Sequence, residues 1–452
     1  MTLKIDCFKA YDIRGQIPNQ INTDIAYRVG NAAVEFLGAR TMVVGRDMRL
    51  TSREFADAVA AGMQEAGADV LDIGLGGTEM VYFATGDLQA DGGIMVTASH
   101  NPADYNGLKL VRRQAQPISG DTGLEDIRKL AERDERLEAK SSGSRRSVDI
   151  ADRYINRLLT FIEPASLRKL RIVTNAGNGC AGLTLDRLEK HLPFEFIKMH
   201  NEPDGTFPNG VPNPMIEENR TPTIEAIKEH KADFGIAWDG DFDRCFFFDE
   251  NGRFIEGYYM VGLLAETQLG QSPGGAIVYD PRLTWSTIEI VEQHGGRPVQ
   301  SKSGHSFMKE VMRREDALYG GEMSAHHYFR DFFYCDSGMI PWLLVAQLVS
   351  VRGQPLSTLV NDRMEKFPAS GEINRKVADT KKAIDTIRAR YAPEAVNVDT
   401  TDGISIEYPQ WRFNLRGSNT EPVIRLNVES RGDRKLMQEK TGEILAALDG
   451  LA

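Results

Sequence analysis

Asp239-Gly240-Asp241-Phe242-Asp243-Arg244 follows the apolar run Phe234 to Trp238. Aspartates at alternate positions put three carboxylates on one side of the backbone. Curled by Gly240, they can converge on one ion, and hard oxygen ligands favour Mg²⁺ or Ca²⁺. Without a cation such crowding is costly. A Ca²⁺ loop of the EF-hand type is a rival, because Asp-x-Asp-x-Asp opens such loops and Glu250 falls at the twelfth place. It fails at the sixth place, where Arg244 stands for the required glycine. The apolar run Cys245 to Phe248 and the lack of a preceding helix argue the same way. The plainest alternative is a solvated acidic turn.

Ser99 is the second chemical candidate. Ile94, Met95 and Val96 follow two glycines and read as a buried strand, and Pro102 disfavours helix at Asn101. Ser99 thus lies in a loop at the carboxyl end of a strand, where α/β folds place their chemistry. The Gly-x-Ser-x-Gly elbow of hydrolases is missing, and no neighbouring acid or base activates the hydroxyl for acyl transfer. His100 points to the other face in extended chain. A turn serine that caps the next segment is the competing reading. Arg14, in Tyr11-Asp12-Ile13-Arg14-Gly15, and Lys109, in Asn106-Gly107-Leu108-Lys109, each add a cation. Together with Ser99 they would make a positive phosphoryl pocket.

Three further stretches offer binding chemistry. In Gly320 to His327, the alternating Glu322, Ser324 and His326 can present donors and acceptors to sugar hydroxyls. In Arg416-Gly417-Ser418-Asn419-Thr420, a guanidinium fork with hydroxyl, amide and backbone donors suits a phosphate dianion, and Arg425 can assist. An ordinary hairpin loop would look similar. Gly177-x-Gly179-x-x-Gly182, with Glu202 beyond it, satisfies a dinucleotide fingerprint. A glycine-rich turn between strand and helix needs no ligand, however. Arg282, Lys302 and His305 are less specific loop candidates.

The elements that must position these residues repeat. Strand, loop, helix and strand follow one another at Thr41 to Ile73, Leu170 to Ile197 and Ala276 to Gln300. Each reads as a βαβ unit with parallel strands. The tail differs: strands at Gly403 to Tyr408 and Val423 to Val428 precede one helix, Leu436 to Leu448, which reads as an α+β module. Asp134 to Ser147, charged and serine-rich, reads as a linker or exposed turn. The 452 residues exceed one core. Three α/β domains, 1–144, 145–250 and 251–366, and an α+β domain, 367–452, are expected. Hydrophobic residues at 41% suffice for sizeable cores. A net charge of −11 leaves no electrostatic footprint for nucleic acid or an anionic membrane. The cysteines at 7, 180, 245 and 335 show no Cys-x-x-Cys spacing, so neither a disulfide framework nor structural zinc is expected. Met1 to Asp6 lacks a signal-peptide apolar region, and no run approaches ~18 apolar residues, which reads as a cytoplasmic chain without a membrane span.

Taken in order, Thr97 to Pro102, Asp239 to Arg244, Gly321 to His326 and Arg416 to Thr420 resemble the four signature loops of the α-D-phosphohexomutase superfamily. The bacterial phosphomannomutases are the branch to which the whole chain is most similar. The resemblance implies four domains around a central cleft, each giving one loop. It implies a phosphoryl group resting on Ser99 that passes to a hexose phosphate and returns from a hexose 1,6-bisphosphate, which also serves as activator. Mannose 6-phosphate and mannose 1-phosphate would interconvert in this way, supplying GDP-mannose synthesis. The roles follow the same resemblance. Mg²⁺ would sit on Asp239, Asp241, Asp243 and a phosphoserine oxygen at Ser99. Arg14, Lys109 and Arg244 would stabilise the moving group, and His100 would order the serine loop. Glu322 and Ser324 would hold sugar hydroxyls, with Tyr11, His305 and His326 also at the substrate. Arg416, Ser418, Asn419, Thr420 and Arg425 would grip the phosphate that is not reacting. Lys109, His305 and His326 are candidates for the general base. A dual phosphoglucomutase/phosphomannomutase is the nearest alternative. A non-catalytic sugar-phosphate sensor would need neither Ser99 nor the aspartates.

Overall fold

A computed structural model describes residues 4–417 and 423–450. The chain forms two compact units, Met1–Phe254 with His326–Pro355, and Ile255–Ala325 with Leu356–Ala452.

The first unit carries two large sheets. In one, Thr41–Arg46 lies at the centre, parallel to Asp69–Leu75 on one side and Gly92–Val96 on the other. Helix Ser52–Glu65 bridges the first two strands and completes the expected βαβ unit. At its first residue the Ser52 hydroxyl is tied back to Asp47 at 2.5 Å. Alternate strand residues, Met42 and Val44, Ile94 and Val96, pack with helices Thr23–Leu37 and Leu124–Ala131 into one apolar core here. Asn22 caps helix Thr23–Leu37 by accepting from the Ile25 amide at 3.0 Å, and Gly38 closes it in the left-handed conformation.

The stretch read as a linker is partly structured. Arg145–Ser147 pairs in parallel with Asp69–Leu75, so the first sheet reaches past residue 144. All three residues are exposed, so no apolar alternation announces the strand. Ion pairs place it instead, Arg145 meeting Asp57 and Asp72 at 2.7 Å each.

In the second sheet Phe234–Trp238 runs parallel to Arg171–Asn175, which is itself parallel to Glu195–Met199. Cys245–Phe248 returns antiparallel, with Trp238 opposite Cys245. The aspartate loop is therefore the connection of a hairpin. The serine loop is one too: Tyr105–Arg112 returns antiparallel to Gly92–Val96, with Lys109 opposite Met95. A short antiparallel pair, His327–Phe329 with Cys335–Asp336, and helix Ile340–Arg352 complete this unit.

The second unit repeats the parallel theme. Ala276–Tyr279 lies between Arg297–Gln300 and Tyr319–Gly321, parallel to both. The C-terminal sheet is antiparallel throughout, ordered Ile373–Lys376, Val423–Ser430, Trp411–Gly417, Ile404–Glu407, Asn397–Asp399. Helices Thr380–Tyr391 and Arg434–Asp449 contribute to its apolar core. Parallel βαβ sheets and a C-terminal α+β sheet match the expected fold class. No single helix among the described residues is long and apolar enough to cross a membrane.

Candidate active site

The two hairpin loops of the first unit meet. The Ser99 hydroxyl donates to Asp239 Oδ2 at 2.8 Å. Ser99 itself adopts φ +49°, a left-handed conformation that non-glycine residues rarely take. Its amide donates to Thr97 Oγ1 at 2.8 Å. Close packing seats the aspartate loop: a Cβ on Gly240 would lie 2.7 Å from the Ser99 carbonyl oxygen. Phe242, also left-handed at φ +44°, buries its ring against Gly77.

Asp239, Asp241 and Asp243 are all buried, and each offers a carboxylate oxygen within 4.8 Å of the others. Two cations balance them. Lys109 Nζ donates to Asp241 Oδ2 at 2.7 Å and to Asp243 Oδ2 at 2.6 Å. Arg244 donates to Asp239 Oδ2 through Nε at 2.8 Å and Nη2 at 2.6 Å. Thr78, at the start of helix Thr78–Asp87, donates its hydroxyl to Asp241 Oδ2 at 2.5 Å. Asp241 Oδ1 and Asp243 Oδ1 remain buried with no hydrogen-bond partner among the described residues. Buried carboxylate oxygens left without donors are what a hard divalent cation would satisfy, so these residues fit one.

The charges respond to this crowding. Burial pushes the Asp239 carboxyl up to about 6, against the pull of Arg244 and with help from Asp243 and Asp241. Asp243 goes the other way: burial would raise it, but Lys109, His326 and Arg244 hold it far below the usual carboxylate range. Burial would lower Lys109, yet Asp241 and Asp243 keep its ammonium raised.

His100 Nδ1 lies 3.0 Å from Ser99 Oγ and also meets the Arg244 guanidinium. Enclosure of the ring, then Arg244 and Arg14, hold it well below the usual imidazole range, although 35% of the side chain reaches solvent. The sequence argument that His100 turns away from Ser99 fails, because the chain there is not extended. Arg14 reaches the loop from strand Ile13–Gln16, donating to Asn101 Oδ1 at 2.7 Å. His326 Nε2 stands 3.8 Å from Asp243 Oδ1, and Asp336 joins the same grouping. Tyr11 is half-buried in the bend before Ile13.

A second charged centre lies in the second unit. Glu372 is reached by Arg282 Nη1 at 3.3 Å, Arg416 Nη2 at 3.3 Å and Arg425 Nη1 at 3.1 Å. Arg416 and Arg425 are cross-strand partners, not loop residues, and Arg416 is buried. Arg282 also pairs with Asp280 at 2.7 Å and donates to Ser324 Oγ at 3.3 Å. Glu322 Oε1 accepts from the Gly304 amide at 2.7 Å and stands 3.7 Å from Arg282. Glu322, Ser324, Arg416 and Arg425 are thus linked through Arg282 and Glu372. His305 opens helix His305–Glu315 and is half-buried. Ser418, Asn419 and Thr420 lie outside the described residues.

Sequence reading missed Asp47, Arg49, Thr78 and Glu372. None sits in a motif with a chemical signature, although Asp47 and Arg49 follow a parallel strand just as Ser99 follows its own. The turn from Gly177 to Gly182 packs against the protein itself, as the ligand-free reading has it. A Cβ on Gly182 would lie 2.0 Å from the Asn201 carbonyl oxygen, and one on Gly179 would lie 2.7 Å from that of Gly240. Gly177 faces Pro212. Gly179 and Gly182 let protein backbone approach, including that of the aspartate loop, while Gly177 turns the chain at φ +58°.

Four domain families match along the chain. They are Phosphoglucomutase/phosphomannomutase, alpha/beta/alpha domain I over residues 6–138, domain II over 152–252, domain III over 256–367, and the C-terminal domain over 372–446. A phosphomannomutase of Escherichia coli is 58% identical, over 98% of this chain and 99% of its own. A protein of Xanthomonas campestris pv. campestris named for phosphohexose mutases is 56% identical, over 99% of this chain and all of its own. The crystal structure of a phosphoglucomutase/phosphomannomutase family protein from Burkholderia thailandensis superposes with a TM-score of 0.88 at 34% identity, covering 99% of this chain and 98% of that one.

Proposed function

The chain belongs to the phosphoglucomutase/phosphomannomutase family, and we propose that it interconverts mannose 6-phosphate and mannose 1-phosphate through a phosphoserine at Ser99 and a hexose 1,6-bisphosphate. The observation that carries this reading is the Ser99 hydroxyl held 2.8 Å from Asp239, within a buried carboxylate triad flanked by Lys109 and Arg244.

In the first half-reaction a free sugar hydroxyl forms a P–O bond as the P–Oγ bond of phosphoserine breaks. The hydroxyl proton leaves to a base, for which Lys109, His305 and His326 are the candidates. In the second, Ser99 Oγ takes the other phosphoryl group, the sugar P–O bond breaks, and the sugar oxygen regains a proton. Asp239, Asp241 and Asp243 would hold Mg²⁺, which supplies charge neutralisation to a transfer governed by positioning and electrostatics. Arg14, Lys109 and Arg244 keep positive charge around the moving group, and His100 fixes the serine loop. Glu322 and Ser324 bind sugar hydroxyls, with Tyr11, His305 and His326. Arg416 and Arg425, with Ser418, Asn419 and Thr420, bind the idle phosphate. The proposal includes a cytoplasmic location, supported by the buried free cysteines Cys7, Cys180 and Cys245, as a reducing compartment allows. The domain boundaries 250/251 and 366/367 are proposed with it, and the first, expected at 144/145, moves past Ser147, the last residue paired into the first sheet.

Steady-state rates on mannose 1-phosphate and glucose 1-phosphate, primed with glucose 1,6-bisphosphate, test the reading. A higher kcat/KM for the mannose ester supports it. Equal values favour the dual-specificity reading, which the relatives named for phosphohexose mutases motivate. No conversion of either ester would refute both.

A further inference from the structure

Arg49 is one of the most enclosed cations in the first unit, 3% exposed, and its guanidinium faces four backbone carbonyls. Nη2 donates to the carbonyls of Ser99 at 2.9 Å and Asn101 at 2.6 Å. Nη1 donates to those of Pro102 at 2.7 Å and Tyr105 at 3.0 Å. One planar cation thus gathers the serine loop from its nucleophile to the start of the returning strand. The cation is itself fixed. Asp47 lies 3.4 Å from Nε, accepts from the Arg49 amide at 3.0 Å and is held by the Ser52 hydroxyl at 2.5 Å. The Phe207 ring packs 5.2 Å from the guanidinium carbon.

The consequence for Ser99 follows from peptide geometry. A left-handed serine is strained and persists only where its surroundings enforce it. Here the Ser99 carbonyl is turned onto Arg49. In a trans peptide the following N–H points the opposite way, so the His100 amide faces away from Arg49. That amide has no acceptor among the described residues. We propose that Arg49 is a positioning residue for phosphoryl transfer: it holds the Ser99 turn so that the hydroxyl lies at Asp239 while the His100 amide is aimed outward as a donor for the phosphoryl oxygens. Arg49 touches no reacting atom and acts through four carbonyls. Lysine, a point charge on a flexible stem, cannot span them.

The inference rests on the phosphoserine reading above, and its test separates the two. Full-length parent, Arg49→Met and Arg49→Lys are incubated with glucose 1,6-bisphosphate. Ser99 phosphorylation is followed by peptide mass spectrometry, alongside kcat, KM for mannose 1-phosphate, Mn²⁺ affinity by electron paramagnetic resonance, and the thermal midpoint. The expected result for Arg49→Met is a slowed gain of phosphate at Ser99 and a loss of about 100-fold in kcat, as for a reacting group misplaced by ~1 Å. KM stays at the parental value and Mn²⁺ affinity does not fall, because Arg49 hydrogen-bonds to loop carbonyls and pairs with Asp47 rather than with the metal aspartates. Added guanidinium ion restores part of the rate to Arg49→Met. Arg49→Lys is expected to fall between the two, and it carries the test should Arg49→Met fail to fold. Parental kcat in a variant, or a kcat loss matched by equal loss of Mn²⁺ affinity, would overturn the inference alone. Failure of the parent to take up phosphate would overturn the phosphoserine reading and the inference with it.

Discussion

Glu372→Gln removes one charge and almost no volume from the centre of the second unit, where three guanidiniums meet it at 3.1–3.3 Å. Only 8% of the Glu372 side chain is exposed, so solvent screens little of this interaction. Removing one partner of a buried ion pair typically costs about 3–5 kcal/mol, because the charge left behind is uncompensated. For a unit of this size each kcal/mol moves the midpoint by about 2–4 °C, so a fall of about 6–20 °C is expected by calorimetry. The same positive centre should then bind a phosphate dianion more readily. Inorganic phosphate at ~100 times its Kd returns about 2.7 kcal/mol, and the variant should gain more from a given concentration than the parent. The pH dependence has a definite sign. Burial would raise the Glu372 carboxyl, but Arg282, Arg425 and Arg416 hold it below the usual range. Its stabilisation is therefore full above the unfolded value near about 4.3 and is lost as pH falls through the lower folded value. The parent should lose more stability than Glu372→Gln across that acid window. A variant within ~0.5 kcal/mol of the parent, with no extra response to phosphate, would refute the view that Glu372 organises these arginines.

Chelation should abolish turnover and Mg²⁺ should restore it; full activity in metal-stripped protein would remove Asp239, Asp241 and Asp243 from the metal role. Lys109→Met leaves Asp241 and Asp243 without their nearest cation. It should destabilise metal-free protein by about 3–5 kcal/mol, with Mg²⁺ recovering part of the loss in a thermal scan. Arg416→Ala should raise KM by roughly 10- to 150-fold, since a charge-assisted contact contributes about 1.5–3 kcal/mol. Because Arg416 is buried against Glu372, its loss should also lower the midpoint, and an unchanged KM would reduce Arg416 to a structural ion pair.

The βαβ units were legible because each combines a short apolar strand, a polar turn and an amphipathic helix, and Ala276–Tyr279 and Arg297–Gln300 fall where the pattern places them. Arg145–Ser147 was not, because ion pairs rather than burial hold it. The carboxylate triad was legible, since alternate aspartates within a few residues constrain one another. Glu372 was not: it lies 44 residues before Arg416. Only the antiparallel pairing of Ile373–Lys376 with Val423–Ser430 sets it beside the strand that carries Arg425. Arg49 was equally hidden. It acts on backbone carbonyls some 50 residues away, and carbonyls leave no mark in a sequence. The glycines at 177, 179 and 182 resembled a nucleotide site because a left-handed turn at Gly177 and close approach of the protein's own backbone at Gly179 and Gly182 demand the same residue.

The central claim is that Ser99 carries the phosphoryl group between half-reactions, and intact-peptide mass spectrometry of active protein tests it most directly. Phosphate is expected on the peptide containing Ser99. Activity should be lost when that phosphate is removed and should recover when glucose 1,6-bisphosphate restores it. Fully active protein with an unmodified Ser99 and no response to the bisphosphate would contradict it.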